Sequence, residues 1–212
     1  MSIPWLIAVV LAAQIALGIS PKADRMTWAL ENVPVWFGVG LLAFTHRRFP
    51  LSSLCLHLFA IHSLILALGG HYTYAKVPLG EWARDAFGLA RNHYDRIGHF
   101  AQGFIPAIFV RELLLRKTPL QRGGWLNFLV VCVCLAFSAC YEFFEWWVAV
   151  FTGEAANDFL GTQGDPWDTH WDMFMALVGA ICSMATMGRW HDDSLKQVGL
   201  SSLAPTDVGR SA

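Results

Sequence analysis

Apolar residues run along this chain in long blocks separated by short polar connections. About 20 helical residues, rising ~1.5 Å each, cross the ~30 Å hydrocarbon core of a bilayer. Six blocks approach that length: Ile3 to Ile19, Val33 to Phe49, Leu51 to Gly69, Ile97 to Leu115, Trp125 to Phe151 and Thr169 to Trp190. The pattern predicts an all-α, polytopic transmembrane helical bundle of about six helices. Residues 1–190 form its single transmembrane domain, and residues 191–212 are expected as a polar, disordered cytoplasmic tail. Pro34 shortens the second block, so five spans remain if that one fails. No Lys or Arg precedes the first block and no small-x-small site follows it, which favours a retained helix over a cleaved signal.

Composition agrees with a bilayer as the solvent and principal partner. Hydrophobic residues make up 55% of the chain and charged ones only 15%, with ten Trp and fifteen Phe, a balance too apolar for an ordinary soluble domain. A formal net charge of -1 supplies no general basic field, so nucleic acid is not an expected partner. The five cysteines lie inside apolar stretches without a C-x-x-C pair, and read as small buried residues rather than a disulfide framework or zinc knuckle. Basic residues in short loops set orientation. His46, Arg47 and Arg48 sit in the second loop, Arg116, Lys117 and Arg122 in the fourth, and none in the fifth, which places both termini in the cytoplasm. Lys76, Arg84, Arg91 and Arg96 of the third loop pull the other way.

Against this background three polar motifs stand out: Asn92-His93-Tyr94-Asp95-Arg96-Ile97-Gly98-His99, Tyr141-Glu142-Phe143-Phe144-Glu145-Trp146-Trp147, and Gly164-Asp165-Pro166-Trp167-Asp168-Thr169-His170-Trp171-Asp172. Ionisable groups are costly at membrane depth, so their clustering marks a functional site. Six alternating spans bring all three motifs to one face, expected to be the outer one. Asp95 and His99, Glu142 and Glu145, and Asp168 and Asp172 are spaced three or four apart, so each pair occupies one side of its helix. Asp95, His99, Asp168 and Asp172 offer the imidazole and carboxylate ligands of a divalent metal. Glu142 and Glu145 are the candidate catalytic acid or base. His93, Asp165 and His170 flank the cluster, while His71, Tyr72 and Tyr74 belong to a Gly70–Gly80 loop expected to fold over it as a lid.

Simpler roles compete for some of these residues. Asp165-Pro166-Trp167-Asp168 reads as a helix start, and Asn92 or Asp95 could cap the fourth helix. His99, Glu142 and Asp172 lie inside helices, where capping does not explain them. Trp146, Trp147, Trp167 and Trp171 fit an interfacial aromatic belt. Glu112, beside Arg111 and Arg116 at the opposite face, reads as part of a solvated charge cluster, and His191-Asp192-Asp193 as the opening of the surface tail.

The combination Gly-Gly-His-Tyr-Thr-Tyr, Asn-His-Tyr-Asp-Arg-x-Gly-His-Phe, Tyr-Glu-x-x-Glu-Trp and Gly-Asp-Pro-Trp-Asp-x-x-x-Asp-Met resembles the YjdF-type family of bacterial inner-membrane proteins, roughly from Ile3 to Arg189. That resemblance implies a multi-pass protein of the bacterial inner (cytoplasmic) membrane and no particular activity. More remotely, Asp95-x-x-x-His99, Glu142 and Asp168-x-x-x-Asp172 are similar to the pattern of VanZ-like membrane proteins. There the chain departs: Glu142 lacks a following Gln at the expected spacing, and Met rather than Asn follows Asp172. Two functions are consistent with the residues. One is a metal-dependent or acid-base enzyme acting on an envelope lipid or other amphiphile. The other is a small transporter or binding protein whose carboxylates carry protons or a cation.

Overall fold

A computed structural model describes residues 3–153, 157–160 and 162–197. Among these, six long helices overlap the six apolar blocks: α1 (Ile3–Gly18), α2 (Arg25–Thr45), α3 (Ser53–Tyr72), α5 (Tyr94–Lys117), α6 (Gly124–Thr152) and α8 (Asp168–Thr186). Between α3 and α5 the chain makes a 3-10 turn (Tyr74–Lys76) and a short helix, α4 (Pro78–Phe87); α7 (Asn157–Leu160) and α9 (Gly188–Gln197) complete the set. The chain is an all-α membrane bundle. By length and apolarity alone α3 and α6 each suffice to cross a bilayer, and α8 with α9 would make a third, bent span. α5 falls short because Asp95, Arg96, Arg111, Glu112, Arg116 and Lys117 crowd its two ends, where the fold buries several of them among partners.

α2 begins at Arg25, well before the Val33 boundary expected from the apolar run. Its start is fixed chemically: the Asp24 carboxylate accepts hydrogen bonds from the backbone N–H groups of Met26 and Thr27 at 2.9 and 3.0 Å, and from the Thr27 hydroxyl at 2.6 Å. The helix then runs through Pro34. Proline removes one N–H donor but leaves the flanking turns intact, as membrane helices tolerate. The longer helix places Glu31 and Asn32 inside the bundle.

The last block also differs. α8 ends at Thr186 and the chain bends by 64° into α9. Residues 191–197 are therefore helical rather than disordered tail; residues 198–212 lie outside the described residues. α9 buries His191, Ser194 and Leu195 beneath the start of α3, where the Ser194 hydroxyl accepts from Leu54 N at 3.0 Å and meets the Ser53 hydroxyl at 3.0 Å. Burial of Leu195 with Leu115, Leu126 and Ala180 supplies the apolar part of that docking.

α5 and α8 approach more closely than ordinary side chains allow. A Cβ on Gly103 would strike the backbone carbonyl of Ala176, and one on Gly179 would strike that of Phe100. Ala107, Ala176 and Ala180, all fully buried, continue the seam. Small residues that let helix backbones meet are the usual basis of helix association in lipid, where hydrophobic burial gives no advantage over tail contact. Side chains such as Phe37, Phe44, Phe137 and Phe151 point outward, as lipid-facing positions should. α4 exposes Leu79, Trp82 and Phe87 while Glu81, Arg84 and Asp85 form a charged side, so it is amphipathic, as helices at a membrane interface are.

Three outcomes are expected. Reporter fusions at Arg122 and Gln163 give opposite membrane locations, with Arg122 cytoplasmic; the same location for both would break the alternating topology. Substituting Gly103→Leu lowers detergent-phase thermal stability by an amount equivalent to about 3 kcal/mol, the upper part of the range for overpacking. Gly40→Ala, at a helical glycine with nothing within 4 Å of its would-be Cβ, changes stability by less than about 1 kcal/mol.

Candidate functional site

The glycine seam holds the first turns of α5 and α8 side by side, and their polar residues interleave. Arg96 occupies the centre. Its guanidinium donates to Asp172 Oδ1 through Nη1, and through Nη2 to Asp168 Oδ1 at 2.7 Å and Asp165 Oδ2 at 3.2 Å. Arg91, just before α5, donates to the same Asp168 oxygen at 2.8 Å and to the Thr162 carbonyl at 3.1 Å. Asp95, Asp168 and Asp172 are all buried, so the two guanidiniums compensate carboxylates removed from water.

His99, one turn after Asp95, faces three carboxylates. Its Nε2 lies 3.5 Å from Asp95 Oδ1 and 3.7 Å from Asp172 Oδ1, and its Nδ1 lies 3.9 Å from Glu142 Oε1 on α6. His99 Nδ1 and Glu142 Oε1 are buried and neither has a hydrogen-bond partner among the described residues. Buried polar atoms are seldom left so, and a facing pair marks a place for a proton, a water or an ion. Asp95, His99 and Asp172 each bring one ligand atom within 4.8 Å of the others, close enough that the three could hold a metal ion together.

Two segments flank the starts of α5 and α8 near this centre. In one, the Gln163 amide clamps the backbone of Asn92, accepting from its N–H at 3.1 Å and donating to its carbonyl at 2.9 Å, which ties the loop before α8 to the loop before α5. In the other, Tyr74 of the 3-10 turn lies buried over Gly69 of α3 and Gly98 of α5 and meets the Tyr94 ring at 5.7 Å. Burial raises the Tyr74 hydroxyl's pKa well above its ordinary value, and Glu31 and other acidic neighbours add to the effect. His93 sits at the start of α5, where partial burial and the nearby Arg91 and Arg96 depress its pKa.

Of the residues singled out from sequence, Asp95, His99, Glu142, Asp165, Asp168 and Asp172 converge here. Asp165 does two jobs, since its Oδ1 also accepts from Trp167 N at 2.9 Å at the start of α8. Asn92 holds the start of α5 by accepting from Tyr94 N at 3.0 Å. Glu145 lies half-buried one turn beyond Glu142. His71, Tyr72 and His170 do not join. The His71 ring is 2.7 Å from the Leu17 carbonyl of α1 and stacks edge-on against Tyr72, and exposed His170 packs against Trp167. Of the expected lid, then, Tyr74 packs at the start of α5, while His71 turns toward α1 with Tyr72 against its ring.

Sequence reasoning gave Arg96 and Arg91 no role in the site, naming Arg96 within a motif and weighing both for orientation. Their signal was present: Arg96 is three residues before His99, on the same helix side, and an arginine there needs acidic partners. It also missed Glu31, whose side chain approaches Tyr141, Asp95 and His99, because Glu31 fell before the expected start of the second span.

At the opposite pole, Glu112 and His191 are both fully buried rather than solvated. Glu112 accepts from Ser52 N at 3.1 Å, Cys55 Sγ at 3.2 Å and Arg116 Nη1 at 2.6 Å, and lies 3.1 Å from His191 Nε2. The knot joins α3, α5 and α9, and α9 brings the second histidine that the tail reading hid.

Removing Arg96 tests the electrostatic account. Arg96→Ala leaves Asp172 and Asp168 short of charge compensation and lowers stability by about 3 kcal/mol or more. Combining it with Asp172→Asn recovers part of that loss in thermal unfolding; an additive double variant would show that the pair is not coupled.

Comparison with known proteins connects this arrangement to a family. Residues 3–193 match the family described as a predicted membrane protein, DUF2238. The chain is 49% identical over 177 residues to the Escherichia coli (strain K12) protein named inner membrane protein YjdF, covering 84% of this chain and 85% of that one. No solved structure matches. These matches agree with the first resemblance read from the motifs, and the VanZ-like one gains no support from them. Agreement across nearly the whole length, including every helix that builds the carboxylate site, makes this chain a member of the DUF2238 family and a protein of the inner membrane.

Proposed function

We propose that this protein is an integral membrane enzyme that carries out acid-base chemistry on an amphiphilic molecule of the cell envelope, at the membrane face where α5, α6 and α8 meet. One observation carries the reading: His99 Nδ1 and Glu142 Oε1 face each other across 3.9 Å, both buried and both without a hydrogen-bond partner among the described residues. A histidine and a carboxylate so placed can exchange a proton with a group inserted between them. Asp95 and Asp172 on the Nε2 side orient the ring and stabilise it when charged. Arg96 and Arg91 set positive charge beside the surrounding acids and would attract an anionic portion of a substrate.

A lipid-like substrate follows from position. Exposed Trp146, Trp147 and Trp171 ring the site at the level where amphipathic aromatics meet headgroups. The loop pinned by Gln163 and the turn carrying Tyr74 would have to part for entry. A second version of the chemistry places a divalent cation on Asp95, His99 and Asp172, favoured by their three ligand atoms within 4.8 Å. Such a cation, held on the Nε2 side of His99, would supply Lewis-acid chemistry there, while Glu142 stays on the Nδ1 side of the ring. The Arg96 contact to Asp172 would compete with such a cation. Transport receives less support. The 64° helix break lies between α8 and α9, at the pole away from the carboxylates, whereas transport sites are typically built at the break itself.

Comparative analysis of envelope lipids tests the proposal. Cells lacking the protein accumulate an amphiphile that wild type removes, and Glu142→Gln or His99→Gln fails to restore its removal although the variant is present in the membrane at normal amount. An unchanged amphiphile profile in all strains would overturn the enzyme reading. Elemental analysis of detergent-purified protein separates the two chemistries: a stoichiometric divalent metal lost in Asp95→Ala supports the cation version, and its absence supports the His99–Glu142 pair acting alone.

A further inference from the structure

At the pole opposite the carboxylates, where α5 ends, α6 begins and α8 bends into α9, there is a cavity of about 490 Å³. Arg111, Arg122 and Arg189 line it together with Asn127, Gly123 and a lone acid, Asp192. Asp192 bridges two of the arginines, its Oδ1 lying 2.8 Å from Arg111 Nη1 and its Oδ2 accepting from Arg122 Nε at 3.0 Å. Burial raises the pKa of this carboxyl, but Arg111 and Arg122 more than offset that and hold it below its ordinary value. Three guanidiniums against one carboxylate leave the cavity positive. Arg189 is exposed and makes no ion pair among the described residues.

Two further features point to the charge and shape of a ligand. Gly123, at the start of α6, provides no side-chain cap, so the first-turn amides keep the positive end of the helix dipole open beside the cavity. Guanidiniums with a helix N-terminus form a suitable setting for a phosphate group. Immediately after Gly124, Trp125 and Phe128 are exposed, meet edge to face at 5.9 Å, and line an adjoining apolar recess. A free phosphate ion has no use for that apolar wall, whereas a phospholipid has both a phosphate and a chain to lay along it.

We propose that this cavity binds the phosphate headgroup of an anionic glycerophospholipid, with its acyl chains passing Trp125 and Phe128. Basic pockets at the ends of membrane helices are suited to such headgroups.

Native mass spectrometry of the full chain released from detergent provides the test. Dioleoyl phosphatidylglycerol should be retained in preference to dioleoyl phosphatidylcholine. Arg189→Gln, which alters an exposed residue, should weaken phosphatidylglycerol retention roughly fivefold, about the worth of one basic side chain near an anionic surface, and leave phosphatidylcholine unchanged. Arg122→Gln should show the same selectivity loss, with thermal unfolding confirming that each variant is folded. Equal retention of the two lipids, or unchanged phosphatidylglycerol retention in both variants, would overturn the proposal. So would displacement of phosphatidylglycerol by millimolar inorganic phosphate, which would assign the cavity to a soluble phosphate instead.

Discussion

The backbone contact between α5 and α8 is the constraint from which the rest of the structure follows. Gly103 and Gly179 bring the two helices together so closely that a methyl group on either would collide with the carbonyl of the other helix. In a lipid solvent such contacts gain van der Waals attraction and complementary shape without a hydrophobic driving force. Their consequence is electrostatic. With the axes this close, Asp95, Arg96 and His99 on α5 stand at the level of Asp168 and Asp172 on α8, and side chains of ordinary length reach across. Even a small increase in separation would leave the same charges facing lipid or each other.

That arrangement explains why so many acids persist inside an apolar bundle. A buried carboxylate without compensation is severely unfavourable, and Arg91 and Arg96 provide compensation by bonding Asp165, Asp168 and Asp172 from one side. Arg96 reaches three acidic side chains with one planar group, for which lysine, a single point of charge, would be a poor substitute. The compensation is uneven. The α8 acids are tied to arginine, while His99 Nδ1 and Glu142 Oε1 have no hydrogen-bond partner among the described residues.

The bundle is polarised from end to end. Around the starts of α5 and α8 the charged residues are mostly acidic, whereas the other end holds Arg47, Arg48, Arg111, Arg116, Lys117, Arg122 and Arg189. Near that basic end Glu112 binds Ser52, Cys55, Arg116 and His191, locking α9 under α3 and α5. α9 therefore closes the basic pole and supplies Arg189 and Asp192 to its cavity, as the loop before α8 closes the acidic pole.

The sequence by itself determined the class of the molecule, the positions of its long helices and the shared face of its polar motifs. These are properties of composition and of helical period: apolar runs of bilayer length must be helical in lipid, and alternating spans return every second connection to the same face. The pairing of Asp95 with His99 and of Asp168 with Asp172 was likewise legible, because four-residue spacing fixes a common helix side. Which helices touch was not. No local pattern states that Gly103 meets Ala176, and only that contact decides that Arg96 neutralises the α8 acids while His71, Tyr72 and His170 turn elsewhere. Glu31 escaped because Asp24 starts α2 in polar sequence, ahead of the apolar run, and His191 because a short polar helix looks like a tail until its partner Glu112 is known. Spacing along the chain fixes a residue's direction about its own helix, but burial and partners depend on the neighbouring helix, which is set by close packing across the whole bundle.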